Sequence, residues 1–213
     1  MLYEKLLKLV GYDVLQIFGD TGTGKTMFCL ELMRETVKNG KKVVFIDSER
    51  NLNFDEVEKP ENLIYYYSPE LKDILNVCAN LPKADLYILD SMGFPVVTQF
   101  AMASMKEKGD MLLKCVTLTH YLKVATWRNK ALAVVTNQPV SPFGKTVPED
   151  QLPPFGDKSQ FGYKEIWRTK LERTNENETT CSIKAWRSRK FGRGKILFLM
   201  KISNKGVEIK PFI

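Results

Sequence analysis

Apolar residues fall into short blocks along the chain, separated by longer stretches in which they recur every third or fourth position. Blocks of five or six suit buried strands, and the three-to-four spacing suits helices with one apolar face. Leu2 to Leu9 reads as a short amphipathic helix and Asp13 to Phe18 as a brief strand. Gly19 to Thr26 is a glycine-rich turn, and Lys25 to Lys38 continues as a helix ended by Asn39-Gly40. Strands are predicted over Lys42 to Ile46, Leu63 to Tyr67, Leu86 to Asp90 and Ala131 to Thr136. Helices fall between them over Pro69 to Leu81, with Ser68 as N-cap, and over Asp110 to Asn129. Alternating strands and helices predict a parallel sheet covered on both faces.

After Gln138 the texture changes. Pro139 to Ser159 is rich in proline, glycine and charge and shows no period. A loop of this length in a compact domain is usually functional. Beyond it, Ile166 to Arg173, Thr179 to Trp186, Lys195 to Ile202 and Val207 to Lys210 read as consecutive strands. The turns Asn175-Glu176-Asn177 and Asn204-Lys205-Gly206 join two pairs of them as hairpins. The predicted class is therefore α/β, with a mostly parallel central sheet and antiparallel strands at the C-terminal end. All of the chain, 1–213, is expected to form one domain, a length that suits a single core.

The turn after the first strand carries the clearest chemistry. Gly19-Asp20-Thr21-Gly22-Thr23-Gly24-Lys25-Thr26 fits the phosphate-binding pattern G-x-x-x-x-G-K-[S/T], between an apolar strand and a helix. Its glycines let backbone N–H groups converge on phosphate oxygens, and the helix N-terminus adds positive charge. Lys25 is placed to reach the β- and γ-phosphates of ATP, and the Thr26 hydroxyl to bind Mg²⁺. Such a site needs a carboxylate beside the metal. Asp90, at the end of the strand Leu86-Tyr87-Ile88-Leu89-Asp90, is the candidate. The residue after it is Ser91, so a hydrolytic glutamate must come from elsewhere. Glu49 ends Phe45-Ile46-Asp47-Ser48-Glu49, and Gln138 ends Val134-Val135-Thr136-Asn137-Gln138. Glu49 could activate water, and Gln138 could report the γ-phosphate.

Charge adds a second theme. Net charge is +7, and it is not evenly spread. Met1 to Gly144 holds 17 basic and 17 acidic residues, whereas Lys145 to Ile213 holds 15 and 8. The densest part is Lys184, Arg187, Arg189, Lys190, Arg193 and Lys195, with no acid among them. Such a cluster attracts polyanions, either nucleic acid or the phosphates of a neighbouring subunit, the alternative being a solvated surface loop. Phe143, Phe155 and Trp186 are candidates for base stacking on single-stranded DNA, with core packing the alternative for each and the favoured reading for Trp186. Cysteines 29, 78, 115 and 181 are scattered with no C-x-x-C, which argues against zinc and for a reducing, cytoplasmic location. The one histidine, His120, reads as an ordinary helix residue. No apolar run approaches the roughly 20 residues of a membrane span, and Met1 to Lys8 does not read as a secretory leader.

Taken together, Gly19 to Thr26, the Phe45-to-Glu49 run, Asp90-Ser91 and Thr136-Asn137-Gln138 resemble the RecA-type ATPases, and more closely the archaeal RadA recombinase and its short RadB-like paralogues. The resemblance runs from about Val14 to the end. It implies a RecA-like core in which Lys25 and Thr26 hold nucleotide and Mg²⁺, Asp90 supports the metal and Glu49 activates water. Gln138 would couple the γ-phosphate to the DNA-contacting loop, here Pro139 to Gln160. Lys184-Ala185-Trp186-Arg187 resembles a late-strand pattern that reaches the ATP of an adjoining subunit. The chain starts almost at the core, with no room for the recombinases' N-terminal domain or polymerisation linker. In the first DNA loop, Met92 to Gly109 offers only Lys106 and Lys108, and the second has Phe155-Gly156 and Phe161-Gly162 in place of Gly-Gly. An accessory paralogue in recombination and repair is therefore expected, with RadA, another paralogue or a second copy left open as partner. A KaiC-like regulatory ATPase acting without DNA is the alternative. A small-molecule kinase fits less well, because Glu49 and Gln138 suit water activation and no lid-like arginine segment is evident.

Overall fold

A computed structural model describes residues 1–52, 59–100, 103–139 and 162–213. Its elements are α1 (Leu2–Val10), β1 (Val14–Phe18), α2 (Lys25–Lys38), β2 (Val43–Asp47), β3 (Leu63–Tyr67), α3 (Leu71–Ala79), β4 (Leu86–Asp90), α4 (Gly93–Phe100), α5 (Met105–Asn129), β5 (Leu132–Asn137), β6 (Glu165–Thr174), β7 (Glu178–Arg187), β8 (Ile196–Ser203) and β9 (Gly206–Pro211). The strands form one nine-stranded sheet in the order β3-β2-β4-β5-β1-β6-β7-β8-β9. From β3 to β6 the neighbours run parallel, and from β6 to β9 antiparallel. This is the predicted class.

Every residue of β1, β2, β4 and β5 is buried. That is why these strands read as unbroken apolar runs rather than alternating ones: helices cover both faces. On one face Leu15, Ile17, Phe45, Trp167 and Phe198 pack with residues of α1 and α2. On the other, Phe18, Val44, Ile46 and Val135 pack with residues of α3 and α5. Trp167 is the largest fully buried side chain. Its ring lies 5.7 Å from that of Phe198, and its Nε1–H donates to Glu165 at 3.1 Å. Trp167→Ala should destabilise by about 3–5 kcal/mol, the usual cost of removing a large buried aromatic. In urea the midpoint is expected to fall with the slope unchanged, and an unshifted midpoint would contradict this packing.

Three predicted elements differ from the structure. Ser68 does not cap α3. The N-cap is Glu70, and the Ser68 hydroxyl accepts the Glu70 N–H at 3.1 Å, a local turn just before the helix. Met92 to Gly109, expected as a loop, contains α4 and the start of α5. Helix α5 begins five residues before Asp110 because Ser104 and Glu107 form a capping box. Of the expected second loop, residues 140–160 lie outside the described residues, as do Phe143, Phe155, Gly156 and Phe161. No described helix is long and apolar enough to cross a membrane.

Candidate nucleotide site and basic face

The parallel strands all end at one edge, where their loops face each other. In open α/β sheets that edge is where ligands bind. The glycine-rich turn leaves β1 there. Gly22 and Gly24 have φ of +79° and +83°, a region costly for any residue with a Cβ. At Gly24 a Cβ would also meet the Met200 methyl of β8. The Thr23 hydroxyl donates to the Asp20 carbonyl at 2.7 Å and lies 2.7 Å from the Thr169 hydroxyl of β6. No side chain caps the start of α2, which leaves its first-turn N–H groups for an anion.

Lys25 folds back over this turn. Its Nζ donates to the carbonyls of Gly19 and Asp20 at 2.7 and 2.8 Å. Burial pushes its pKa below the usual lysine value, against the opposing pull of Asp90, Asp20 and Glu49. Asp90 at the end of β4 is buried. Burial raises its pKa, opposed by hydrogen bonds from the Thr136 and Thr26 hydroxyls. Asn51 also donates to its carboxylate, at 3.4 Å.

Glu49 follows β2 and is held from two sides. The buried Asp47 carboxylate accepts the N–H groups of Glu49 and Leu52 and the Tyr65 hydroxyl, each at 3.0 Å. Ser91 donates its hydroxyl to Glu49 Oε1 at 2.7 Å. Ser91 is itself fixed by Ser48, whose hydroxyl accepts the Ser91 N–H at 2.8 Å and donates to its carbonyl at 2.9 Å. Gln138 leaves the end of β5, its N–H bonded to the Asn137 side chain at 2.9 Å.

The result is a cleft of about 230 Å³ lined by Thr21, Gly22, Gly24, Lys25, Thr26, Glu49, Asp90 and Gln138, with Ser91, Met27 and Ile202 completing the wall. Gly19, Asp20 and Thr23 shape the turn that forms its floor. Sequence reasoning missed Asp47, Ser48, Tyr65, Ser91 and Ile202. Asp47 left a trace, because aspartate two residues before a bonded N–H is an Asx-turn pattern. Ser48 and Ser91 stand beside Glu49 and Asp90 in the chain, but the bonds that join them cross from one strand to the next; Tyr65 and Ile202 come from distant elements.

The basic cluster disperses across several environments. Lys184 is not uncompensated: its Nζ lies 2.7 Å from Glu172 on the neighbouring strand. Arg187 donates to the Tyr163 carbonyl at 3.1 Å, and Lys190 donates to the Lys8 carbonyl at 2.7 Å. Arg189 and Arg193 are exposed. The Arg193 guanidinium lies 3.7 Å over the Trp186 ring, which sits edge-on to Phe18. A hollow of about 550 Å³ opens here, lined by Arg168, Lys170, Lys184, Trp186 and Arg193. Arg168, which sequence reasoning did not single out, also approaches Asp20 of the phosphate turn at 3.8 Å.

Comparison with known proteins decides the family. A DNA repair and recombination protein RadB from Methanobrevibacter smithii is 30% identical in an alignment covering 91% of this chain and 86% of that one. The chain belongs to the RadB family. RadB of Methanosphaera stadtmanae is 28% identical over 61% of each chain. RadB of Methanococcoides burtonii is 61% identical over 36 residues, 16% of its length. The matched stretch thus spans less than two thirds of these last two relatives. No family model matches. Among solved structures, the RadB recombinase superposes with a TM-score of 0.69 over 96% of this chain and 94% of that one, at 16% identity. A KaiC-like protein from Pyrococcus horikoshii gives 0.64 over 94% and 90%, also at 16%. Both share the fold of this RadB-family chain.

Proposed function

We propose that this RadB-family chain is an Mg²⁺-dependent ATPase that works on single-stranded DNA as an accessory to a RadA-type recombinase or another paralogue, in the cytoplasm. The observation that carries the reading is the convergence of Lys25 and Thr26 from the start of α2, Glu49 after β2, Asp90 at the end of β4 and Gln138 after β5 on one cleft. In this reading the backbone of Gly22 to Lys25 and the start of α2 bind the phosphates. Glu49, oriented by Ser91 and by the Asp47-braced turn, takes a proton from the attacking water. Gln138, which lines the same cleft, would respond to the terminal phosphate.

The donor set fits Mg²⁺. Thr26 and Asp90 offer hard oxygens already hydrogen-bonded to each other. Mg²⁺ is usually bound by one or two protein oxygens, water and substrate phosphates. When bound, it would neutralise phosphate charge.

DNA association is supported by the excess charge of the last third, by exposed Arg189, and by exposed Arg193 over the half-buried Trp186 ring. Affinity for an oligothymidylate is expected to fall steeply with salt. Each lost phosphate contact should flatten the log–log slope by about 0.7, so Arg189→Glu combined with Arg193→Glu should weaken binding and flatten the slope together. Absence of binding even at low salt would reject the DNA reading. The likeness to the KaiC-like protein supports a second reading, regulation through protein partners alone. ATP turnover measured with and without the oligonucleotide separates the two, with Lys25→Ala as the control for both.

A further inference from the structure

Helix α5 has two apolar faces. Cys115, Leu118, Leu122 and Ala125 point into the core and are buried. At about 100° per residue, Leu113, Val116, His120, Val124 and Trp127 fall on the opposite side. There Leu113 is 65% exposed, Val116 38% and Trp127 80%, and Val124 is half-buried. A helix that only covers a sheet puts polar residues on its outer face. This one carries an apolar stripe about 21 Å long from Leu113 to Trp127.

The charge along the stripe itself is of one sign, the nearest acid on the helix being Asp110, one turn before Leu113. From Met111 to Lys130 the helix and its C-cap hold Lys114, Lys123, Arg128 and Lys130 and no acid. The same helical geometry places Lys114 and Arg128 on one flank and Lys123 and Lys130 on the other. Only Lys123 has an ion-pair partner among the described residues, Asp13 at 3.4 Å. Beside the stripe, between the end of α3 and α5, a hollow of about 290 Å³ is lined by Leu81, Lys83, Tyr121, Val124 and Arg128. It adds a socket for an apolar side chain and one more cation.

We propose that the outer face of α5 docks an acidic, amphipathic segment of a partner protein, with apolar side chains along the Leu113–Trp127 stripe and carboxylates toward the flanking cations. Helix-on-groove recognition uses anchors at this spacing. A second copy fits poorly, since α5 against α5 would oppose cation to cation. Nucleic acid fits poorly as well, since the stripe offers three aliphatic side chains and, apart from the His120 imidazole, a single aromatic ring, Trp127, where stacking needs a row of rings. The surface lies on a different element from the nucleotide cleft and does not depend on the ATPase reading.

The test uses the full chain and a labelled synthetic peptide of about 16 residues, enough to match the stripe, with leucine at positions i, i+3, i+4 and i+7 and glutamate elsewhere. Anisotropy is expected to show saturable binding at low salt that weakens at least about tenfold at high salt. Leu113→Ser with Trp127→Ser should weaken it about tenfold or more while leaving the melting temperature unchanged, since both side chains are exposed. A peptide with lysine in place of glutamate should not bind. No binding of the glutamate peptide, equal binding of the lysine peptide, or indifference to the two serine substitutions would overturn the proposal. It would equally fall if the stripe's occupant proved to be another class. Those results are a dimer of the unmutated chain dissolved by Trp127→Ser, capture by anionic vesicles that depends on Trp127, or displacement of the peptide by oligothymidylate.

Discussion

Lys25→Ala is expected to remove ATP turnover, lowering it by at least about 10²–10³-fold, the scale for losing one positioned cation or donor at developing charge. Two effects combine. The ammonium is the only cation among the described residues lining the cleft, and it holds the Gly19 and Asp20 carbonyls of the phosphate turn. Alanine removes the charge and loosens the turn at once, so nucleotide affinity should fall together with the rate. Titration with a fluorescent ATP analogue beside a thermal melt distinguishes loss of the site from loss of the fold. Turnover within a few-fold of the unmutated chain would mean that this cleft does not handle ATP.

Glu49→Gln makes a narrower demand. Glutamine keeps the shape of the side chain, and its carbonyl oxygen can still accept the hydrogen bond that Ser91 gives Glu49 Oε1. The Asp47 bonds to the backbone of this turn are untouched. Basicity alone is lost, so kcat should fall about 10²–10⁴-fold while nucleotide affinity stays near its starting value. Steady-state kinetics with direct binding measurements read the split. An unchanged kcat would assign proton removal to another group and leave Glu49 a structural part of the wall.

Much of this was legible in the sequence because it rests on local rules. The phosphate turn is a fixed spacing between strand and helix, and the predicted bounds of α2, β3 and β4 match the structure because glycine, asparagine or charge interrupts the pattern at their ends. Helix α4 was hidden. Pro95, Val96 and Val97 read against a helix, yet Pro95 stands in the first turn, where a missing N–H costs little. The start of α5 was masked by Gly109, although the Ser104–Glu107 signature was present. What lay out of reach was contact across the sheet. Tyr65 meets Asp47 from the neighbouring strand, and Glu172 neutralises Lys184 across a hairpin. Charge density along the chain cannot reveal which cations already have partners.

Ile202 lines the nucleotide cleft, and Met200 fills the space above Gly24. Both belong to β8, nearly 180 positions after the turn they cover. The mould that shapes the phosphate grip is therefore assembled from opposite ends of the polypeptide. Trimming the closing hairpin would leave the glycine motif intact on paper and deprive it of its backing. Inheritance of that motif by a shorter fragment would not carry the grip with it.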